Sequence, residues 1–423
     1  MNKDVVLELI RMAPEGVSRA AIAQLLGVSR SSISVIVDDL IQAGLVLEHG
    51  VGASRGGRRP IVLQINPDAG RVLGIAIGAT HALVILSDLR GGILAEASAT
   101  LDIAQPPQTY LDQVYALADR CLSQTGSRSA YLSAIGVGVP GPVIRDHGHV
   151  AAPPIMPGWD SFAIIQALKA RWHTEIVLDN DANLGALGEY TYGGGRGERN
   201  LVYVKIGTGI GCGILLDGTI YHGVLGTAGE IGHVTINEDG PPCSCGNYGC
   251  LEAMAGGRAI AQRAEMAIRA GQQTSLAALC HERALSVHDV VEAAHAGDHL
   301  CQQLLSDAGR HVGSALASLI NLLNPGAILM GGGVTLAGEL FLGAVHQSVQ
   351  ERTMRPALRA VRLAPAALGS RASAMGAVAL AITQTLQTST YLCQRRGVRR
   401  PALPTDAYRS SDLHTDVVVT VKG

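Results

Sequence analysis

No stretch of this 423-residue chain approaches the roughly 20 consecutive apolar residues that a membrane-spanning helix needs, although 47% of its residues are hydrophobic and only 16% are charged. The amino terminus is an ordinary amphipathic helical pattern and lacks the build of a secretory signal. These absences predict a soluble, cytoplasmic protein with no membrane partner. Net charge is nearly lacking too: 33 basic and 35 acidic side chains leave −2, a balance that selects no class of partner. A disulfide framework is also missing, because the eight cysteines are scattered apart from Cys243, Cys245 and Cys250. In a reducing compartment a metal site explains that cluster better. Asp and Glu are absent from residues 49–66, where Arg55, Arg58 and Arg59 make a local basic patch. The length leaves room for two or three domains.

Residues 3–48 carry helical periodicity throughout. Ser18 is a good N-cap, the pattern breaks at Gly27, and it restarts behind a second N-cap, Ser29. Helix, tight turn, helix is the result. In the second helix Ile33, Ile36, Val37, Leu40 and Ile41 form one apolar stripe, which leaves Arg30, Ser31, Ser34 and Asp38 outward. Short polar side chains and an arginine at a helix N-terminus suit base edges and phosphates in a major groove. Two strands, "LVLE" and "PIVLQIN", then flank the glycine-rich basic loop "HGVGASRGGRR", a wing able to reach a minor groove. The candidate DNA-binding residues are therefore Ser29, Arg30, Ser31, Ser34, Arg55, Arg58 and Arg59. A helical hairpin that merely packs on the next domain is the alternative, and the uniformly positive wing argues against it.

The turn "NPDAG" at 66–70 marks a domain seam, after which the text becomes β-rich. Strands are expected at "VLGIAIG", "HALVILS" and "GILAEASAT", followed by a helix from about Pro107 to Leu122 and the buried strand "AIGVGVP". After Asp181 a second glycine-turned hairpin, "NLVYVKIG" with "GCGILLDGTI", repeats this opening, which suggests two lobes of related design. Helices dominate from Gly257 to Leu323, then come the strand "AILMGG" and the helix "SAMGAVALAITQTL".

His233 stands ten residues before Cys243, and "CSCGNYGC" adds Cys245 and Cys250. One imidazole and three thiolates can close a tetrahedral Zn²⁺ site that leaves no open position for water, so such a metal is structural. Three buried free cysteines near an unrelated histidine are the alternative.

The segments "GIAIGATHALVILSDLRGGIL", "GVGVPGPV", "DNDANLGALGE", "IGTGIGCGILLDG", "GTAGEIGHV" and "CSCGNYGCLE" resemble, in order, the motifs of the ROK family of repressors, open reading frames and sugar kinases. The preceding module with "SRGGRRP" is similar to the DNA-binding domain of that family's repressors. The resemblance implies an α/β chain: a two-lobed actin-like ATPase (ribonuclease H-like) body behind an N-terminal, all-α winged helix-turn-helix domain. The winged module would span 1–66, the first lobe 71–185 with a helix at about 372–386, the second lobe and zinc site 186–371, and a flexible tail 388–423. It further implies sugar contacts by Asn180, Asp181, Glu230, His233 and Glu252, with Asp181 the general base if phosphoryl transfer survives. Asn180 and Asp181 equally suit a helix N-cap, and either glutamate alone could be a solvated side chain.

Phosphoryl transfer also needs a nucleotide cradle and a Mg²⁺ site. Gly207, Thr208 and Gly209, with Gly331 and Gly332, could offer backbone contacts to ATP, although such hairpins are ordinary in this fold. The family's kinases carry "DxGGT" in the first hairpin; here the text is "AIGAT", and Ala76 stands where the aspartate would be. A second departure is "PPIMPGW", where many of the kinases have a sugar-touching asparagine near Ile155. ATP and Mg²⁺ handling are thereby in doubt. The expectation is a sugar-responsive transcriptional repressor binding operator DNA and a monosaccharide or sugar phosphate, as a homodimer or homotetramer. The alternative is an ATP-dependent sugar kinase with a DNA-binding appendage; a structural actin-like protein has no use for the zinc loop or the paired glutamates.

Overall fold

The computed structural model describes residues 3–13, 15–51, 60–127, 129, 132–144, 149–150, 156–160 and 162–395. Arg55, Arg58 and Arg59, the "PPI" segment with Ile155, and residues 396–423 of the expected tail lie outside the described residues.

The head comprises α1 (Lys3–Arg11), β1 (Val17–Ser18), α2 (Arg19–Leu26), α3 (Arg30–Gln42), β2 (Val46–Val51) and β3 (Ile61–Ile65). Both expected caps form: Ser18 accepts from the Ala21 amide and Ser29 from the Ser32 amide, while Gly27 closes α2 in the left-handed region. Ile33, Ile36, Val37 and Leu40 are buried as the stripe requires. The head is not all-α. β2 and β3 pair antiparallel around residues 52–59, and β1 joins β3 to complete a three-stranded sheet. Val17–Ser18 is too short to show period-two alternation, so only pairing with β3 reveals it as a strand. At the seam Asn66 holds the turn, accepting from the Asp68 amide and donating to the Gly44 carbonyl.

Two five-stranded sheets follow, and they share one plan. The first contains β4 (Arg71–Ile77), β5 (His81–Asp88), β6 (Ile93–Thr100), β7 (Leu132–Val139) and β10 (Glu175–Asn180), in the order β10-β7-β4-β5-β6. The helices α4 (Pro107–Gln124) and α5 (Ile164–Trp172) and a small hairpin, β8 (Val143–Ile144) with β9 (His149–Val150), complete this lobe. α6 (Asp181–Tyr192) leads to the second sheet: β11 (Leu201–Ile206), β12 (Ile210–Leu216), β13 (Thr219–Ile220), β14 (Ala327–Gly331) and β15 (Arg362–Pro365), in the order β13-β12-β11-β14-β15. In each sheet three antiparallel strands come first and two parallel strands extend the other edge. The repeated glycine hairpin in the sequence is thus the start of a repeated sheet.

The second lobe is covered by α7 (Leu251–Ala255), α8 (Gly257–Arg269), α9 (Ala277–Glu282), α10 (Val287–His295), α11 (His299–Leu323), α12 (Glu339–Arg352) and α13 (Arg355–Ala360), which share an apolar core with β11, β12 and β14. The last helix, α14 (Ala372–Arg395), packs on β4 and β7 of the first lobe. α6 packs on β11 and β12, and α6 and α14 pack on one another between the sheets. Their approach is close: a Cβ on Gly376 would stand 1.7 Å from the Leu184 carbonyl oxygen, so only glycine fits there. Helix α14 continues to Arg395, so residues 388–395, expected in a flexible tail, are helical. One further core unites head and body, with Leu7, Ile10 and Val37 of the head in the same apolar cluster as Val72, Met375 and Val378. No helix among the described residues is long and apolar enough to cross a membrane.

Candidate functional site

Asn180 ends β10 and caps α6, its Oδ1 accepting from the amides of Ala182 at 2.8 Å and Asn183 at 3.2 Å. Its Nδ2 donates to the Gly141 carbonyl at 2.9 Å. Both ends of this side chain are occupied in holding the backbone, which is the capping role.

Asp181, the first residue of α6, is 8% exposed and points the other way, toward the second lobe. There Lys205 of β11 donates to its Oδ2 at 2.6 Å. A lysine inside a strand that otherwise reads "NLVYV" and "I" is itself an unusual signal, since lysine is seldom buried unpaired. That contact occupies the carboxylate oxygen Oδ2, one of the two that an attacking hydroxyl could approach. His81, at the start of β5, faces the same group; its pKa is lowered first by burial and then by the Lys205 charge, against an opposing pull from Asp181.

Glu230 and Glu252 are brought together with Asp181. The loop bearing Glu230 lies directly on β12, for a Cβ at Gly229 (φ +95°) would come within 2.0 Å of the Cys212 carbonyl oxygen. Burial raises the Glu230 pKa, and the nearby Glu252 and Asp181 charges add to that, while His233 opposes it. Glu252, on α7, accepts from the Ile210 amide at 2.8 Å and so ties α7 to the glycine hairpin. A concentration of carboxylates on rigid turns suits a polyol, because each oxygen can accept from hydroxyl groups.

Gly207, Thr208 and Gly209 form the β11–β12 turn, and Gly331 and Gly332 lie at the carboxyl end of β14, the parallel neighbour of β11. Gly332 comes against the Ile206 carbonyl, so the two glycine segments adjoin. Two turn carbonyls are already used: Gly207 accepts from the Gly257 amide at 2.8 Å and Thr208 from the Arg258 amide at 3.1 Å. Ala76 is buried in β4, where it contributes no carboxylate to this cleft.

His233, Cys243, Cys245 and Cys250 converge, with their ligand atoms all within 4.8 Å of one another. Cys243 Sγ lies 3.6 Å from His233 Nδ1, and Cys245 Sγ lies 3.7 Å from Cys250 Sγ. Tetrahedral zinc with Zn–S near 2.3 Å and Zn–N near 2.05 Å has edges of about 3.6 Å (N···S) and about 3.8 Å (S···S), so the set fits such an ion. A hydrogen bond from the Asn247 backbone brings Cys245 down to about 7, favouring thiolate, while burial pushes Cys250 up. His233 Nε2 faces away from the sulfurs, 3.9 Å from Glu230 Oε2. The cluster therefore adjoins Glu230 through His233 and Glu252 through Cys250.

A second pair missed in the sequence spans the lobes. Asp179, 1% exposed, accepts from the Asn180 amide and Asn183 Nδ2 and lies 2.8 Å from His222 Nε2, just beyond β13. Burial alone would raise its pKa, but these partners outweigh it and hold Asp179 below the usual carboxylate value. Adjacency to the "NDAN" segment was the only sequence signal for Asp179, and nothing local marked His222.

On the head, Ser29, Arg30 and Ser31 are exposed at the start of α3, and Ser34 is half-buried. Ser29 Oγ also contacts the hydroxyls of Ser31 and Ser32, so part of its capacity is spent locally. Val35, 64% exposed on the same helix, lies outside the buried stripe and adds an apolar side chain to this surface. Asp38 faces outward as expected, but Arg19 pairs with it and with Glu48.

A kinase-type body of two related lobes, joined to a winged helix-turn-helix head, is the architecture these observations define. Residues 72–384 match the ROK family and residues 4–59 the MarR family. The chain belongs to the ROK family, and its body has that family's two-lobed, actin-like fold. It is 30% identical over 391 residues to the xylose repressor of Caldicellulosiruptor bescii, covering 92% of this chain and 98% of that protein. Among solved structures, a ROK family transcriptional regulator described as a homolog of the E. coli MLC protein is 28% identical, with a TM-score of 0.76 over 94% of this chain and 98% of its own. A ROK family glucokinase from Streptomyces griseus, in complex with glucose and AMPPNP, is 29% identical, with a TM-score of 0.65 over 74% of this chain and 99% of its own.

Proposed function

We propose that this chain is a sugar-responsive, DNA-binding transcriptional repressor of carbohydrate-utilisation genes, in which a kinase-like body senses sugar. The observation that carries the reading is the continuity of head and body. α1 of the head touches α14, α14 packs on α6, and α6 begins at Asp181. A sugar held by Asp181, Glu230, His233 and Glu252 would favour one arrangement of α6 and α14, and the head would move with it. The likeness to a repressor over nearly the whole chain supports this, whereas the glucokinase likeness reaches only 74% of it.

On this reading the exposed N-terminus of α3, with Ser29, Arg30, Ser31 and Ser34, enters the major groove, and Arg55, Arg58 and Arg59 reach the adjoining minor groove. Two heads on a homodimer or homotetramer read a two-part operator, and the protein works in the cytoplasm. His233, Cys243, Cys245 and Cys250 would hold a structural Zn²⁺ that braces the loops bearing Glu230 and Glu252. The test is operator binding with and without a panel of monosaccharides and their phosphates, xylose first. At least one sugar should change operator affinity by tenfold or more, and Arg30→Ala should weaken binding without changing thermal stabilisation by sugar. A protein that binds no DNA, or binds it identically with every sugar, refutes the proposal.

Retention of Asp181 favours one other reading, an ATP-dependent sugar kinase. Ala76 and the Lys205 ion pair count against it, since one removes a carboxylate and the other occupies the base. A coupled assay distinguishes them: turnover near one per second or faster, in the range of typical enzymes, would establish the kinase.

A further inference from the structure

The outward face of α3 is not chemically uniform. Its buried stripe, Ile33, Ile36, Val37 and Leu40, packs into the core of the head. At about 100° per residue the line opposite that stripe runs through Ser31, Val35 and Asp38, with Ser34 and Asp39 to either side. Asp38 and Asp39 are engaged from within the head, for Arg19 donates to Asp38 Oδ1 at 2.8 Å and Lys3 pairs with Asp39 at 2.8 Å. The first half of the helix, Arg30 to Val35, is therefore the part that offers uncommitted groups to a duplex. It is also the part that a recognition helix presents to base edges.

Within that half Ser29 is hydrogen-bonded to Ser31 and Ser32, and Arg30 carries the charge. Val35 is the outward side chain that can neither donate nor accept a hydrogen bond, and it is 64% exposed. A valine on a helix surface gives up helix propensity relative to alanine and gains no burial in return. Such a residue is unremarkable elsewhere on a protein; its place, four residues after Ser31 in the middle of the reading face, singles it out. The base pairs present hydrogen-bonding groups in the major groove with one apolar exception, the C5-methyl of thymine. A branched apolar side chain in that groove has this methyl as its complement.

We propose that Val35 is a specificity-determining residue that packs its γ-methyls on the C5-methyl of one thymine in each operator half-site. The assignment rests on the repressor reading above. Charge complementarity that brings the helix to a duplex comes from Arg30 and from Arg55, Arg58 and Arg59. The hydroxyls of Ser31 and Ser34 can donate or accept and so tolerate more than one base. Val35 adds what they cannot, a preference for thymine at a fixed position.

The experiment begins with selection of operator duplexes from a random library by the full-length protein. Each thymine of the selected half-site is then replaced by deoxyuridine, which removes the methyl and keeps the pairing with adenine. At one position per half-site the exchange should weaken binding roughly fourfold, the worth of burying one methyl-sized group. Val35→Ser should bind the thymine duplex more weakly by the same factor and no longer distinguish thymine from uracil there. Val35→Thr, which keeps one γ-methyl, should retain the preference. The position is exposed, so both variants fold, and unchanged melting temperatures verify this. A parent protein indifferent to every uracil exchange overturns the assignment and leaves the repressor reading standing. So does discrimination that persists in Val35→Ser, which would mark an effect of DNA shape. Failure to select any duplex overturns both readings.

Discussion

Replacing Lys205 with methionine isolates the contact that sets this cleft apart from a phosphoryl-transfer site. The substitution keeps the length of the side chain and removes the ammonium that donates to Asp181 Oδ2 at 2.6 Å. Asp181 and Lys205 retain 11% and 25% of their side-chain exposure, so the pair is largely but not wholly withdrawn from water. Removing one partner of a fully buried pair costs about 3–5 kcal/mol, because the other charge is left uncompensated. The residual exposure of Lys205 reduces this to about 2 kcal/mol here. For a cooperative unit the size of one lobe, that corresponds to a fall of about 4–8 °C in Tm. Asp181→Asn should destabilise less, since the amide oxygen still accepts from the lysine. The double variant should be more stable than the sum of the single effects predicts, by about 2 kcal/mol. Thermal unfolding of the four proteins, in the same buffer and without sugar, measures the coupling. Additivity within about 0.5 kcal/mol would refute the pairing and, with it, the argument that the base is occupied.

Cys245→Ser should lower metal content on elemental analysis and weaken sugar binding, because the brace beside Glu230 and Glu252 is loosened; full sugar affinity in a metal-free protein would contradict this. Glu252→Ala removes the acceptor of the Ile210 amide, so a loss of about 1–2 kcal/mol is expected together with loss of the sugar response, while operator binding without sugar persists. Gel-shift titration with and without sugar reads both halves of that outcome. Asp179 has a depressed pKa in the folded state, so its contribution to stability is present above the unfolded carboxylate value near 4 and is lost as pH falls through the lower folded value. Asp179→Asn should therefore flatten the decline in Tm as pH falls below about 4, and an unchanged acid profile would show that the His222 contact does not stabilise the fold.

Much of this protein is decided by short-range chemistry that a sequence displays directly. Ser18, Gly27 and Ser29 specify two helices and a turn because capping acts over three or four residues, and the stripe from Ile33 to Leu40 declares its buried face by period alone. The metal-ligand cluster was legible for a similar reason, since thiolates and an imidazole so close in the chain need only a tight loop to meet. Other features depend on strands that meet across long separations. Val17–Ser18 becomes a strand only through β3, Lys205 reaches Asp181 only because β11 passes the start of α6, and His222 finds Asp179 only across the lobes. Periodicity carries no information about such pairs, because each side chain alone is as compatible with solvent as with its partner. The seam between head and body is the extreme case: residues such as Arg11 and Thr191, unremarkable in their own segments, come to line one cavity only when α1 docks beside the end of α6. Local sequence determined the elements and the His–Cys cluster, and the packing of those elements decided which charges meet and neutralise one another.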